Sequence, residues 1–153
     1  MHRQCLAAAV GPERLLAGVT FLGVTRKEEG KILYAGRGAM YIGAPAGSQA
    51  SCAEVQRVAA LFRRAEFDCQ ARADIEVVLW EKLIINVAIN PLTALLRVRN
   101  GALPDLPEAW ELAVAAAAEA QAVARAAGLT VPGDVEARLR HVCQATAANH
   151  FSM

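Results

Sequence analysis

The chain has 153 residues, of which 55% are hydrophobic and 20% are charged. This composition excludes intrinsic disorder, which requires low hydrophobicity and a high net charge, and a chain of this length can bury a core without disulfides or a metal. Because 16 basic residues nearly balance 15 acidic ones and aromatic residues make up only 5%, neither a nucleic acid nor an anionic membrane surface is an expected partner.

Short β-strands dominate the first half of the sequence. Residues 15–24 are rich in β-forming side chains, and residues 31–35 and 39–42 follow polar or glycine-containing turns. Such spacing predicts an antiparallel meander without parallel strands, whose outer strands expose an edge and apolar surface. A helix then begins at Ser51, with Glu54 as its capping-box partner. Its apolar face comprises Val55, Val58, Ala59 and Phe62.

From residue 75 onward the pattern predicts helices only. One helix runs from Ile75 to Leu96, and Asn100-Gly101 forms a turn. A second helix begins near Pro107 and ends before Gly128, and a third begins near Asp134. The predicted fold is therefore α+β, with a small strand-and-helix domain over 1–74 and an all-α domain over 75–153.

Cysteine spacing and apolar runs indicate the expected cellular location of the protein and whether it binds zinc or crosses a membrane. The four cysteines form no CxxC pair and match no zinc-ligand spacing, which indicates reduced thiols in a cytosolic protein and no metal site. The apolar run Leu83–Leu96 is interrupted by polar residues and is shorter than the ~20 residues of a membrane span. The run Leu6–Val10 is too short for a signal peptide.

Three polar residues in the helix Ile75–Leu96 are candidates for a binding site. Lys82, Asn86 and Asn90 recur every four residues among apolar neighbours, so they share one side of a helix that is expected to be buried, and Thr93 lies near the same line. A buried lysine and two amides are costly unless polar groups satisfy them. A cleft holding an anionic, carbonyl-bearing ligand would supply such groups.

Structural explanations for the same residues remain open. Lys82 can extend its ammonium toward water from the helix surface. Asn90-Pro91 is an ordinary pair at the start of a helix, so the helix could break and restart there. Asn100-Gly101 is a favoured turn dipeptide. Asn149 and Ser152, near the end of the sequence, carry no signal by themselves.

The segment WEKLIINVAINPLTALLRVRNG (residues 80–101) resembles the start of the helical domain of the ketopantoate reductases. The shared pattern is W-x-K-x-x-x-N, then N-P-L-T-A, then N-G. Residues 15–43 resemble the last strands of that family's nucleotide-binding domain, and ATAANHFSM (residues 145–153) resembles its T-A-x-N-x-S-S-M stretch. The resemblance implies that the first part of this chain is the end of a Rossmann-type domain.

The sequence also departs from the family pattern. No G-x-G-x-x-G motif is present, because Gly36 and Gly38 are followed by Tyr41 at the third position, within an apolar strand. The family's substrate-binding asparagine at the end of its nucleotide domain has no match, and the family's acidic active-site residue would lie beyond residue 153. We therefore expect a fragment of a longer, truncated reductase, inactive by itself.

The resemblance implies a role for each matching residue. In this family, NADPH reduces ketopantoate to pantoate for pantothenate and coenzyme A synthesis. By motif, Lys82 is the general acid, and Asn86 orients the substrate or Lys82. The remaining substrate-binding candidates are Asn90, Asn100, Asn149 and Ser152. The cofactor-binding residues are unknown, because the NADPH site is largely missing from the chain.

Two other functions stay open beside this one. The chain could belong to a related 2-keto acid or opine-type reductase with a different substrate. Alternatively, it could be a non-catalytic helical module that forms a homodimer. For either reductase, the expected partner is a small-molecule 2-keto acid. The expected location is cytoplasmic.

Overall fold

The computed structural model describes residues 2–36 and 38–149. The chain divides into two compact units, residues 1–79 and 80–153. The elements of the described part are, in order, α1 (His2–Val10), β1 (Ala17–Thr20), β2 (Gly23–Glu28), β3 (Lys31–Gly36), β4 (Met40–Gly43), α2 (Cys52–Arg64), β5 (Cys69–Ala71), α3 (Ile75–Leu96), α4 (Pro107–Ala126) and α5 (Val135–Ala145). Two 3₁₀ helices, Pro12–Arg14 and Asn100–Asp105, precede β1 and α4 respectively.

The strands form two sheets rather than one meander. In the three-stranded sheet, β4 pairs antiparallel with β1 and parallel with β5, so the prediction that parallel strands are lacking is wrong. The connection between β4 and β5 contains α2, which is long enough to bring the chain back to the same end of the sheet. The predicted single strand over 15–24 is also divided into β1 and β2, and between them the amide of Leu22 donates to the Thr20 hydroxyl at 3.3 Å.

The second sheet is the hairpin β2–β3, which presents apolar side chains to solvent. Val24 lies opposite Tyr34 in the antiparallel register, and Ile32 is two residues further along the same face. These side chains are 56%, 52% and 73% exposed. The predicted exposure of apolar strand surface is therefore confirmed.

Helix α2 begins as the sequence predicts and covers the three-stranded sheet. The Ser51 hydroxyl accepts from the Glu54 amide at 3.2 Å, and the Glu54 carboxylate accepts from the Ser51 amide at 2.8 Å. Hydrogen bonds from the Ser51 backbone and side chain hold the pKa of Glu54 below its ordinary value. The predicted apolar face is confirmed, because Val55 and Ala59 are buried with Ile42 of β4.

The second unit is helical, and its helix boundaries agree with the predicted signals. Pro107 is at the first turn of α4, and Gly128 follows its end with a φ of 80°. The Asp134 side chain accepts from the Glu136 and Ala137 amides at the start of α5. The core of this unit comprises Ile84, Ala88, Ile89, Leu103, Trp110, Ala113, Ala117, Ala124, Val131, Leu139 and Cys143.

Helix α3 is continuous through Pro91, so the helix does not restart at Asn90-Pro91. Among the described residues, α3 is the one helix long and apolar enough to cross a bilayer, with 22 residues and a mean hydropathy of 1.3 over an 18-residue window. The predicted helix bounds are confirmed, and the whole helix is longer than the apolar run Leu83–Leu96, which is too short for a membrane span. A single such helix is weak evidence for a membrane span, because the core helix of a soluble protein meets the same criteria.

Gly43 provides a test of the packing between β4 and the start of α3. A Cβ at this position would lie 2.3 Å from the Arg72 carbonyl oxygen and 2.6 Å from the Ile75 Cβ. We predict that Gly43→Ala lowers the free energy of unfolding by about 1–3 kcal/mol, as overpacked sites do, measured by urea denaturation of the chain. Gly36→Ala is the control, because its Cβ would meet no atom within 4 Å. Equal midpoints for the two variants would contradict the prediction.

Candidate functional site

A row of three polar side chains follows one side of α3. Lys82, Asn86 and Asn90 are each half-buried and are separated by four residues in one unbroken helix, so they lie one above another. Burial disfavours the charged ammonium and lowers the pKa of Lys82 below its ordinary value. The row therefore combines an acidic ammonium with two amides, each of which can donate and accept hydrogen bonds.

The helix that carries this row is not buried all round, which corrects the prediction from its composition. Ile84, Ala88 and Ile89 pack into the helical core. The exposed large side chains of α3 are Leu83 at 45%, Val87 at 36%, Leu95 at 81% and Leu96 at 46%. Composition cannot distinguish these sides, because both are apolar and only packing against the rest of the helical unit decides which one is covered.

Thr93 supports the helix instead of extending the polar row. Its side chain is fully buried, and its hydroxyl lies 2.9 Å from the Ile89 carbonyl oxygen and 3.2 Å from that of Asn90. These contacts are within the turn that contains Pro91, which has no amide hydrogen to give the helix. Thr93 therefore stabilises the backbone at Asn90 rather than presenting its hydroxyl to a ligand.

Asn100 is joined to the chain that follows α5, although 46 residues separate it from Thr146. Its backbone amide donates to the Asn149 carbonyl oxygen at 3.0 Å, and its side-chain Nδ2 donates to the Thr146 Oγ1 at 2.9 Å. The next amide, of Gly101, donates to the Ala147 carbonyl oxygen at 3.3 Å. We call this set of bonds, between residues 100–101 and 146–149, the Asn100 latch.

The Asn100 side chain has an acceptor with no partner. The residue is 9% exposed, and its Oδ1 is the buried side-chain oxygen for which no hydrogen-bond donor is found within the described part of the chain. A buried amide oxygen without a donor costs free energy and is uncommon in folded proteins. The arrangement suits a ligand that brings a donor to Oδ1.

Gly101 is required for close packing rather than for a turn. A Cβ at this position would lie 2.6 Å from the Ala147 Cβ and 2.9 Å from the Ala147 Cα. The Asn100-Gly101 pair begins a 3₁₀ helix, so the interpretation as a simple turn dipeptide is wrong. Sequence reasoning missed this role because the partner, Ala147, is distant along the chain.

The two predicted residues near the end of the sequence, Asn149 and Ser152, differ in what the structure shows of them. The Asn149 side chain is exposed, while its carbonyl oxygen belongs to the Asn100 latch. Ser152 lies outside the described residues. Thr146 was not predicted, and the only sequence signal for it was its place in the ATAANHFSM segment. From the family resemblance we predict that Asn100 and Ser152 lie near the side of α3 that carries Lys82.

The cysteines are free thiols, and two of them belong to the two cores. Cys69 and Cys143 are buried, and burial raises the pKa of each thiol, whereas Cys5 and Cys52 are exposed. Across residues 2–36 and 38–149, no three histidine, cysteine or acidic side chains are grouped as metal ligands.

Family comparisons give these residues their context. Residues 74–153 match the family model "Ketopantoate reductase PanE/ApbA C terminal", and residues 1–47 match "Ketopantoate reductase PanE/ApbA". The first of these matches alone covers more than half of the chain. The chain belongs to the ketopantoate reductase family. Both the polar row and the Asn100 latch lie within the part matched by the C-terminal model.

Two curated ketopantoate reductases show the extent of the similarity. The 2-dehydropantoate 2-reductase of Archaeoglobus fulgidus is 39% identical over 140 residues, which are 92% of this chain and 46% of the relative. That of Halobacterium salinarum is 38% identical over 148 residues, which are 97% of this chain and 48% of the relative. The chain therefore spans about half the length of these relatives.

Solved structures agree with this family membership. The 2-dehydropantoate 2-reductase of Geobacter metallireducens superposes on the whole chain with a TM-score of 0.83 and 28% identity, and 50% of that chain is covered. A complex of D-mandelate dehydrogenase with NADH gives a TM-score of 0.81 at 17% identity, covering 95% of this chain and 47% of its own. The second likeness shows the shared fold alone.

The Asn100 latch can be tested through Gly101. We predict that Gly101→Ala displaces residues 146–149, because the new methyl group overlaps Ala147. Amide hydrogen exchange at residues 100 and 101 should become at least about tenfold faster, since their bonds to Asn149 and Ala147 lengthen. Ala147→Gly in the same chain removes the nearest overlapping atom and should restore part of the protection. Unchanged exchange in Gly101→Ala would refute the packing role.

Proposed function

We propose that this chain is part of an NADPH-dependent 2-dehydropantoate 2-reductase, which reduces ketopantoate to pantoate in pantothenate and coenzyme A synthesis. The observation that carries the proposal is the row of Lys82, Asn86 and Asn90 on α3, where burial lowers the pKa of the lysine. The same helix lies in a region matched by the family's C-terminal model, and the chain is 39% identical to a 2-dehydropantoate 2-reductase.

Lys82 is the proposed general acid. As the substrate ketone is reduced, negative charge develops on its oxygen, and an ammonium beside that oxygen stabilises the charge and then protonates it. Burial lowers the pKa of the ammonium, because the charged form loses solvating water while the neutral amine loses little. The buried ammonium is therefore a stronger acid than an exposed one. An exposed lysine, with its higher pKa, would release the proton less readily.

The amides are the proposed substrate-holding groups. Asn86 lies one helical turn from Lys82 and would orient either the substrate or the ammonium, and Asn90 is one turn further. Asn100 would accept a hydrogen bond through its buried Oδ1, which has no protein donor in the described residues. Asn149 would support it from the adjacent backbone, and Ser152 is proposed from its motif alone.

The start of α2 does not fit the pyrophosphate of a dinucleotide. A pyrophosphate needs free amides at a glycine-rich turn where a strand leads into a helix. Here β4 leads to α2, but the Glu54 carboxylate already accepts from the Ser51 amide, and the Glu54 amide donates to the Ser51 hydroxyl. A negative charge of the protein's own thus occupies this helix start. We therefore propose that NADPH is held by parts of the family fold that this chain does not span.

The chain has two parts, to which we assign different roles in binding the cofactor and the substrate. We assign residues 1–74 to the end of a nucleotide-binding domain and residues 75–153 to a helical, substrate-holding domain. The C-terminal family model begins at residue 74, which supports the boundary. The proposed partner is a small-molecule 2-keto acid and the proposed location is cytoplasmic. The exposed apolar face of β2–β3 is consistent with association with a second copy or with the rest of the fold.

The role of Lys82 can be tested in a chimeric reductase, in which this chain replaces the matching segment of the Archaeoglobus fulgidus relative. We predict that Lys82→Ala lowers kcat for ketopantoate by about 10²-fold or more, as expected for loss of a general acid. Lys82→Arg should be similarly slow, because a guanidinium keeps the charge but does not release its proton. Lys31→Ala, at an exposed lysine of β3, is the matched control and should leave kcat unchanged.

An unchanged kcat in Lys82→Ala would rule out the acid role. Turnover of other 2-keto acids in preference to ketopantoate would instead favour a related reductase. A chimera that folds and dimerises without any turnover would favour the non-catalytic module. The three outcomes are separated by assaying a panel of 2-keto acids together with the oligomeric state.

The incomplete cofactor site gives a further prediction for the chain alone. We expect that titration of the 153-residue chain with NADPH, followed by cofactor fluorescence, detects no binding in the micromolar range. The physical reason is that the Glu54 carboxylate already accepts from the Ser51 amide at the start of α2, so that a pyrophosphate would meet a like charge there. Micromolar binding together with ketopantoate turnover by the chain alone would contradict this expectation.

A further inference from the structure

Thr146 stands between Asn100 and the backbone of α5. Its Oγ1 accepts from the Asn100 Nδ2 at 2.9 Å, and its hydroxyl hydrogen is donated to the Val142 carbonyl oxygen at 2.7 Å. The three groups therefore form a short chain of hydrogen bonds that ends on a main-chain acceptor.

The direction of these bonds determines which end of the Asn100 amide faces Thr146. A hydroxyl has a single hydrogen, and a carbonyl oxygen can only accept. Because Thr146 gives its hydrogen to Val142, its oxygen can only accept from Asn100, and the amide must turn its NH₂ group toward it. The Oδ1 then lies on the other side, where it is buried and has no donor in the described part of the chain.

We infer that Thr146 is a positioning residue that sets the polarity of Asn100, so that Oδ1 is offered as a hydrogen-bond acceptor to a hydroxyl group of the substrate. This inference rests on the proposed function and makes it more specific. The Asn100 position could hold either the hydroxyl or the carboxylate of ketopantoate. An oriented Oδ1 selects the hydroxyl, because a carboxylate oxygen has no hydrogen to donate and would be repelled by the amide oxygen.

The consequence is selectivity for a hydroxylated 2-keto acid. A site whose buried acceptor is satisfied only by a substrate hydroxyl discriminates strongly against an analogue that lacks it, since the acceptor is then left without a partner. Ketopantoate has a hydroxyl on the carbon furthest from its carboxylate, and 2-oxo-3,3-dimethylbutanoate has the same keto acid and methyl groups without that hydroxyl. The ratio of kcat/KM for these two compounds therefore measures the polarity of Asn100.

The test compares Thr146→Val, which removes the hydroxyl at nearly constant volume, with Thr146→Ser, which keeps it. In the chimeric reductase we expect Thr146→Val to lower kcat/KM for ketopantoate by about 10- to 100-fold, mainly through KM, because a hydrogen bond to a buried polar group is lost. The value for 2-oxo-3,3-dimethylbutanoate should change by less than about threefold, and Thr146→Ser should keep the selectivity of the parent.

A structural role alone would lower kcat/KM for both substrates equally, and this result would overturn the inference. Equal defects in Thr146→Val and Thr146→Ser would overturn it too. Activity toward the analogue shows that Thr146→Val still folds, so a selective loss cannot be attributed to unfolding.

A second measurement separates this inference from the proposed function. In the ¹⁵N-labelled 153-residue chain, the Asn100 side-chain NH₂ should show nuclear Overhauser contacts to residue 146 and slow exchange in the parent and in Thr146→Ser, and fast exchange in Thr146→Val. A parent chimera that reduces neither compound would refute the proposed function, and the NH₂ contacts would then decide the orientation alone. Absence of these contacts in the parent chain would overturn the role of Thr146.

Discussion

The close approach of Gly101 to Ala147 is the constraint on which the candidate site depends. The absence of a side chain at Gly101 lets two backbone segments come together, and two amides then donate across the gap to the carbonyl oxygens of Ala147 and Asn149. Asn100 is carried into the interior by the same contact. Its side-chain NH₂ group donates to Thr146, while Oδ1 has no donor in the described part of the chain. We propose that this acceptor serves the substrate.

Helix α3 combines an apolar side that is buried with a half-buried row of polar side chains. One side of it supplies Ile84, Ala88 and Ile89 to the core, which favours folding through burial of apolar surface. The polar row on another side opposes that gain, because burial penalises the ammonium of Lys82. Burial penalties of this kind are common at functional sites, and replacing such a residue often stabilises a protein.

The strand-and-helix unit is arranged for packing rather than for holding phosphates. Its β4–α2–β5 connection has the form seen in nucleotide-binding domains, with a parallel strand pair and a covering helix. The start of that helix, however, is closed by the capping box of Ser51 and Glu54. A helix start that already binds its own carboxylate contributes stability, and the negative charge of that carboxylate disfavours a second anion there. Membership of a reductase family and absence of a phosphate cradle in this segment are thus compatible.

Local signals in the sequence determined most of the helices and indicated much of the candidate site. Capping residues and periodic apolar positions located α2 to α5, and the four-residue spacing identified Lys82, Asn86 and Asn90, since each depends on neighbours within one or two turns. Helix α1 and the division of the strands into two sheets were missed, because weak local preferences yield to pairing across the chain. Only the tertiary structure decided which side of α3 is covered, and that Gly101, Thr146 and Ala147 act together. Those contacts join residues about 46 positions apart. Local periodicity predicts only contacts within a few helical turns, so it could not predict these.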